Sequence, residues 1–195
     1  MDIKKHFETA WSLTLKFVVP LILMTLVMIV VSGITLGILA PVATAGYMHS
    51  ILLMVRQGRE PKVQDIFSQM RLFFPLLIFS ILLFIVIMVG FMLLVLPGIV
   101  LICLITFACL YMLPLMTDRS LGLIDAIKES WRLSLEGRIS DQIVVVILFL
   151  GITLIGSSLF IAALFTQPLA TAFVLSVYEE KISLPSSPPV PPPPG

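Results

Sequence analysis

LLIFSILLFIVIMVGFMLLVL, residues 76–96, sets one serine and one glycine among nineteen apolar side chains. About twenty such residues are what an α-helix needs to cross a hydrocarbon core roughly 30 Å thick. The run lies within a longer block, 72–117, that holds no Asp, Glu, Lys or Arg, and blocks 17–55 and 142–178 share that property. At 46, 39 and 37 residues, each block is about two spans long. All 12 Lys and Arg and all 11 Asp and Glu fall outside them. A charge near the centre of a bilayer costs several kcal/mol, so lipid demands this exclusion, whereas a soluble fold would carry about a quarter charged residues. The charged fraction of 12%, the hydrophobic fraction of 59% and the mean hydropathy of +1.14 agree with the first alternative.

Backbone groups in lipid must be satisfied internally, which leaves helices or a closed barrel. LILMTLVMIVV (21–31) and the 76–96 run lack the alternating polar residues of a barrel strand. The expected fold is therefore an all-α polytopic transmembrane bundle, residues 1–181, with six spans as three hairpins. The spans read roughly 17–37, 40–56, 72–95, 97–117, 142–160 and 162–179. Pro41, Pro97 and Pro168 stand near the three reversals, where proline suits the first turn of a returning helix. No Lys or Arg lies near these reversals. Short loops rich in Lys and Arg stay cytoplasmic, so both termini are expected on the cytoplasmic side. Ala43-Thr44-Ala45 looks like a signal-peptide cleavage site, but the apolar run before it is too long and more membrane sequence follows. No cleavage is expected.

Each hairpin is expected to follow an amphipathic helix lying in the inner interface: 2–16, 63–74 and 122–136. Ile3, Phe7, Ala10, Trp11 and Thr14 share one face of the first; Val63, Ile66, Phe67, Met70, Phe73 and Phe74 one face of the second; Ile124, Ile127, Trp131 and Leu135 one face of the third. Trp11 and Trp131, the two tryptophans, suit the headgroup level as anchors. Starts at Asp2, Asp65 and Asp125, about sixty apart, suggest an internal repeat. Ala10-Trp11-Ser12-Leu13-Thr14-Leu15 resembles Ser130-Trp131-Arg132-Leu133-Ser134-Leu135, and Pro41-Val-Ala-Thr-Ala45 resembles Pro168-Leu-Ala-Thr-Ala172. Coincidence in low-diversity membrane sequence is the competing explanation. Residues 182–195 form a proline-rich tail, read as a disordered cytoplasmic end or, less readily, as a polyproline docking peptide.

Little here carries chemistry. The blocks hold no HExxH, GxSxG or phosphate loop and no paired carboxylates, so no catalytic residue, metal, cofactor or nucleic acid is expected. Cys103 and Cys109 read as small core residues. His49 is the ionisable group of the blocks to watch, either a proton acceptor or a neutral histidine hydrogen-bonded to a neighbouring helix. Thr44, His49, Thr106, Gln167 and Thr171 could line a cavity between hairpins. Arg56, Arg59, Lys62 and Arg71 could hold anionic lipid headgroups, although topology alone would place them on that side. Gly33-xxx-Gly37 matches a helix-packing spacing.

Leu96-Pro97-Gly98, then Asp118-x-x-x-Gly122-Leu-x-x-Ala126-Ile127-Lys128-x-Ser130-Trp131, resembles small bacterial membrane proteins related to the membrane domain of glycerophosphodiester phosphodiesterases. Arg56-Gln-Gly58-Arg-Glu-Pro61, leading to Asp65-Ile-Phe67, resembles the same group. The resemblance implies a bacterial inner-membrane module without the soluble catalytic domain of those enzymes, linked to lipid metabolism or to assembly of a complex. The functional expectation is a non-enzymatic scaffold, anchor, oligomerisation or accessory subunit. Its partners would be membrane lipids and a second copy or another protein, met through the cytoplasmic face or the Pro185–Gly195 tail. The alternative is a transporter or channel for a lipid-like or small amphipathic solute.

Overall fold

A computed structural model describes residues 3–93, 95–136, 138–157 and 160–183; Asp2, Leu94 and the proline-rich tail from 184 lie outside that description, while Ile182 and Ser183, expected in the tail, belong to the last helix. All regular structure among the described residues is helical. The first two helices, α1 (Ile3–Lys16) and α2 (Val18–Ile34), meet at 88° around Phe17. The chain then reverses through Thr35–Leu39, where Leu36 and Gly37 adopt φ of 49° and 84°. Glycine takes the left-handed region without a Cβ penalty, so Gly37 is used for a turn. Gly33 has nothing within 4 Å of where its Cβ would stand, and the Gly33-xxx-Gly37 pair therefore packs no helix. The third helix, α3 (Ala40–Gln57), begins with Pro41 in its first turn and ends at a left-handed Gly58, both as local rules ask.

The segment expected as a second interfacial α-helix, 63–74, is instead two short 3₁₀ turns, Val63–Phe67 and Met70–Leu72. Within it Ile66, Gln69 and Leu72 are buried, whereas Phe67, Met70 and Phe74 are exposed. Two causes are visible. Pro75 disfavours a helix running unbroken through 71–75, because it has no N–H for the Arg71 carbonyl and its ring crowds that group. Asp65 is also tied down: Ser50 Oγ donates to its Oδ2 at 2.7 Å, and Arg59 Nη2 donates to the same oxygen. Helix α4 (Phe73–Leu93) starts afresh, with Pro75 in its first turn.

Helix α5 (Val95–Cys109) carries Pro97 in its first turn. The single span expected over 97–117 is interrupted at Leu110–Tyr111, and α6 (Met112–Asp118) follows. Pro114 is the reason: it has no N–H for the Leu110 carbonyl and its ring crowds that group. The segment Gly98–Asp118 as a whole remains long and apolar enough to cross a membrane. Then come α7 (Leu123–Leu135), α8 (Ile139–Ser157) and α9 (Phe160–Ser183). Pro168, expected in the first turn of the returning helix, lies well inside α9.

Three segments are long and apolar enough to span a bilayer: Val63–Met92, Gly98–Asp118 and Ile139–Gly156; the bent pair α1–α2 would make a fourth. Helix α9 is the centre, with every residue from Pro168 to Tyr178 buried. It packs against α1, α2, α3 and α8. Helix α3 adds Tyr47, Ile51, Leu52 and Met54 to the same core. Helix α4 is the opposite case, with only 11% of its most apolar window buried.

Candidate functional site: an apolar-walled cavity below an ion cluster

The C-terminal ends of α3, α6 and α9 converge on one guanidinium. Arg56 Nη1 and Nη2 donate to the two Asp118 carboxylate oxygens at 2.7 and 2.8 Å, and Nη2 and Nε donate to Glu179 Oε1 at 2.6 and 3.0 Å. The fork of arginine matches a carboxylate bidentately, so one side chain ties three helices far apart in sequence. Tyr178 OH donates to Asp118 Oδ2 at 3.3 Å and its ring stacks on Tyr111, centroids 6.2 Å apart. Three of the four expected headgroup contacts are engaged within the chain: Arg56 here, Arg59 on Asp65, and Arg71, which donates to Ser120 Oγ at 2.9 Å.

Around this cluster other polar groups seal the same end. His6 on α1 reaches Ser176 Oγ at 2.8 Å through Nδ1 and contacts Glu180 through Nε2. His6 stands one and two turns before Ala10 and Thr14 and is buried with them, but as a polar residue beside Lys5 it is not part of the apolar pattern that marks that face of α1. Lys181 Nζ donates to Leu133 O, lies 3.5 Å from Glu136 O, and stands 5.2 Å from the centre of the Tyr111 ring. A cation there meets the unpaired carbonyls at the end of α7. Burial pushes the Lys181 ammonium below its ordinary pKa.

The break between α5 and α6 has its own clamp. Ser130 Oγ on α7 accepts from Tyr111 N–H at 3.2 Å and donates to Ala108 O at 2.7 Å; Ser134 Oγ donates to Phe107 O at 2.7 Å. The Tyr111 amide and the Ala108 and Phe107 carbonyls, freed where the helix breaks, are thus satisfied from the neighbouring helix. Helix α7 divides accordingly: Ala126, Ser130 and Ser134, outside the expected apolar face, are buried, whereas Ile124, Trp131 and Leu135 of that face are exposed. Helix α1 divides the same way: His6, Ala10 and Thr14 are buried, whereas Phe7, Trp11 and Leu15 are exposed. Small residues allow close packing on a neighbour, and the rings point out. Trp11 meets Phe165 edge-on at 5.5 Å and Trp131 meets Phe107 at 6.2 Å.

Deeper in the bundle is a cavity of about 200 Å³ between α3, α5, α6, α8 and α9. Thr44, Thr106, Gln167 and Thr171 line it, with Met48 and Phe149 among its apolar walls. His49, expected with them, is elsewhere: its neighbours are Asp65, Asp118, Arg59 and Arg56. Its Nδ1 is buried and makes no hydrogen bond among the described residues, so the expected bond to a neighbouring helix is not formed. Cys109 also lines the cavity, whereas Cys103 is exposed rather than in the core. Thr44 and Thr171 donate to the carbonyls of Ala40 and Gln167 at 2.8 and 2.9 Å. No family model, curated protein or solved structure matches the chain.

Proposed function

We propose that the chain is a six-span module of a bacterial inner membrane, with both termini cytoplasmic, that works without catalysis as a scaffold, anchor or accessory subunit. The observation that carries this reading is α4. Ile78, Leu82, Phe84, Ile85, Met88 and Met92 are all exposed along its length, and its neighbours are α3, α5 and the short turns before it. In lipid, association of helices rests on packing rather than on removal of apolar surface from water. A long apolar helix held at one side of a bundle suits a second membrane protein or a second copy of this chain. The resemblance to the membrane domain of glycerophosphodiester phosphodiesterases fits, because hydrolysis there belongs to a separate domain.

Six spans require α3 and α9 to cross as well. Both are shielded from lipid by the other helices, and a shielded helix tolerates polar residues that a lipid-facing one does not. An internal threefold repeat is supported by packing order: α1 lies on α9, the 3₁₀ turns lie on α3, and α7 lies on α5 and α6. It is also supported by register. Thr44, Thr106 and Gln167 each precede a member of the ion cluster, Arg56, Asp118 and Glu179, by 12 residues.

Mild-detergent purification followed by mass spectrometry of the intact complex tests the scaffold reading. A stoichiometric protein partner or homo-oligomer, cross-linked through cysteines placed at Phe84 and Met88, is the expected result. A bare monomer with no such cross-link sinks it. The cavity favours a second reading, passage of a small amphipathic solute. That reading predicts flux or lipid movement in proteoliposomes and none in empty vesicles.

A further inference from the structure

We infer that the cavity between α3, α5, α8 and α9 binds a small uncharged amphiphile with one hydroxyl group, of the bulk of a phenol or a medium-chain alcohol. The inference builds on the solute reading above but does not need movement of the solute.

Depth comes first. At 1.5 Å per residue along α3 and α9, Thr44 and Gln167 stand roughly 18 Å and Thr171 roughly 12 Å from the ion cluster, well within a core about 30 Å thick. A ligand at that depth arrives from the lipid phase. It must therefore partition into a bilayer, which excludes sugars and ions.

Charge and size come next. No Asp, Glu, Lys, Arg or His lines the cavity, and an unpaired charge at that depth is costly. Met48, Ile105, Leu113, Phe149 and Val174 supply an apolar wall. A cavity of about 150 Å³ holds benzene, so about 200 Å³ admits one ring with a substituent or a chain of six to eight carbons.

The hydroxyl follows from the polar groups. Thr44 and Thr171 spend their O–H on backbone carbonyls of their own helices, so their oxygens offer lone pairs. Among the described residues the Gln167 amide and the Thr106 hydroxyl make no side-chain hydrogen bond, although both line the cavity. A ligand hydroxyl can donate to a threonine oxygen and accept from the Gln167 amide at once. A hydrocarbon tail can do neither and leaves a polar amide without a partner in an apolar site.

The test uses the full chain in nanodiscs of phosphatidylethanolamine and phosphatidylglycerol, photolabelled with a diazirine-bearing octanol and mapped by mass spectrometry. Saturable labelling of Met48, Cys109 or Phe149, displaced by 1-octanol and not by octane, is expected. Gln167→Leu should lower it at least tenfold while thermal stability is unchanged, and Thr106→Val with Thr171→Val serves if that variant does not fold. Labelling spread evenly along α4, or displaced equally by octane, overturns the site in favour of a crevice filled by lipid tails. Site labelling without flux in proteoliposomes removes the transport reading and leaves the site.

Discussion

Gly46 shows how a single atom sets the spacing between segments. A Cβ there would stand 2.1 Å from Ile66 O and 2.5 Å from Asp65 O, both backbone atoms that cannot rotate away. Gly46→Ala should cost about 1–3 kcal/mol, the usual range for overpacking, read as a lower Tm in detergent. Gly33→Ala, in open space, should leave Tm unchanged. The Ser130 clamp makes a second prediction at this scale. Ser130→Ala strands the Ala108 carbonyl and the Tyr111 amide and should cost about 1–3 kcal/mol. Once Pro114→Ala lets the helix continue and bond those groups itself, the cost should shrink, a coupling that a double-mutant cycle measures. Lys181 gives a pH dependence. Burial lowers its pKa in the folded state, so the unfolded chain binds that proton more tightly, and stability rises as pH climbs from the folded value to the ordinary one. The Tm difference between the natural chain and Lys181→Met should move in favour of the natural chain toward alkaline pH. None of these residues advertised its role: a glycine, a serine and a lysine are ordinary in sequence, and only the neighbour each one meets makes it matter.

Among the helices of 17 residues or more, the two least apolar, α3 and α9, form the core and the most apolar, α4, lies outside it. Helix α9 carries Gln167, Pro168, Thr171 and Ser176 and is buried from 168 to 178, whereas α4 has one side-chain hydroxyl, Ser80, and exposed residues along its length. In water that order would be inverted. In lipid the outer helix must be apolar, and the inner ones are free to carry the groups that join helices. The ion cluster joins the ends of three of them. Because Arg56 holds both Asp118 and Glu179, Arg56→Gln should lower Tm more than Asp118→Asn or Glu179→Gln alone. A loss of about 1–3 kcal/mol is expected, below that of a fully buried pair because the groups are half-buried. Equal effects from all three substitutions would show that the arginine does not join the carboxylates. Amphipathic periodicity located α1 and α7 to within a residue or two and put Ala10 and Thr14 on the apolar face of α1, but it grouped them with the exposed Phe7 and Trp11 and missed Ser130 and Ser134 on α7. Ala10 and Thr14, Ser130 and Ser134 face protein while Phe7, Trp11 and Trp131 face out, and a helix lying between protein and lipid has two apolar-tolerant sides that a single moment averages.

For the molecule as a whole, the proposed topology predicts the reactivity of substituted cysteines. Leu36→Cys, at the 92% exposed turn before α3, should react with a membrane-impermeant maleimide added to intact cells. Gln57→Cys, at the opposite end of α3, should react only after permeabilisation. The reverse result would invert the orientation, and labelling of both from outside would remove α3 as a span. By itself the sequence determined the solvent: charge-free blocks of 37 to 46 residues, with apolar runs lacking barrel alternation, left only apolar helices. It also marked Thr44, Thr106, Gln167 and Thr171, because polar residues inside apolar runs are few enough to notice. Tertiary structure alone decided that these four surround one cavity while His49 lies apart from them, near Asp65, Asp118, Arg59 and Arg56. It decided too that a single arginine gathers carboxylates 62 and 123 positions further along the chain. The physical reason is range. Hydropathy and helical period are properties of a segment in its solvent, whereas a cavity or an ion cluster depends on which helix faces touch, and contacts far apart in sequence settle that.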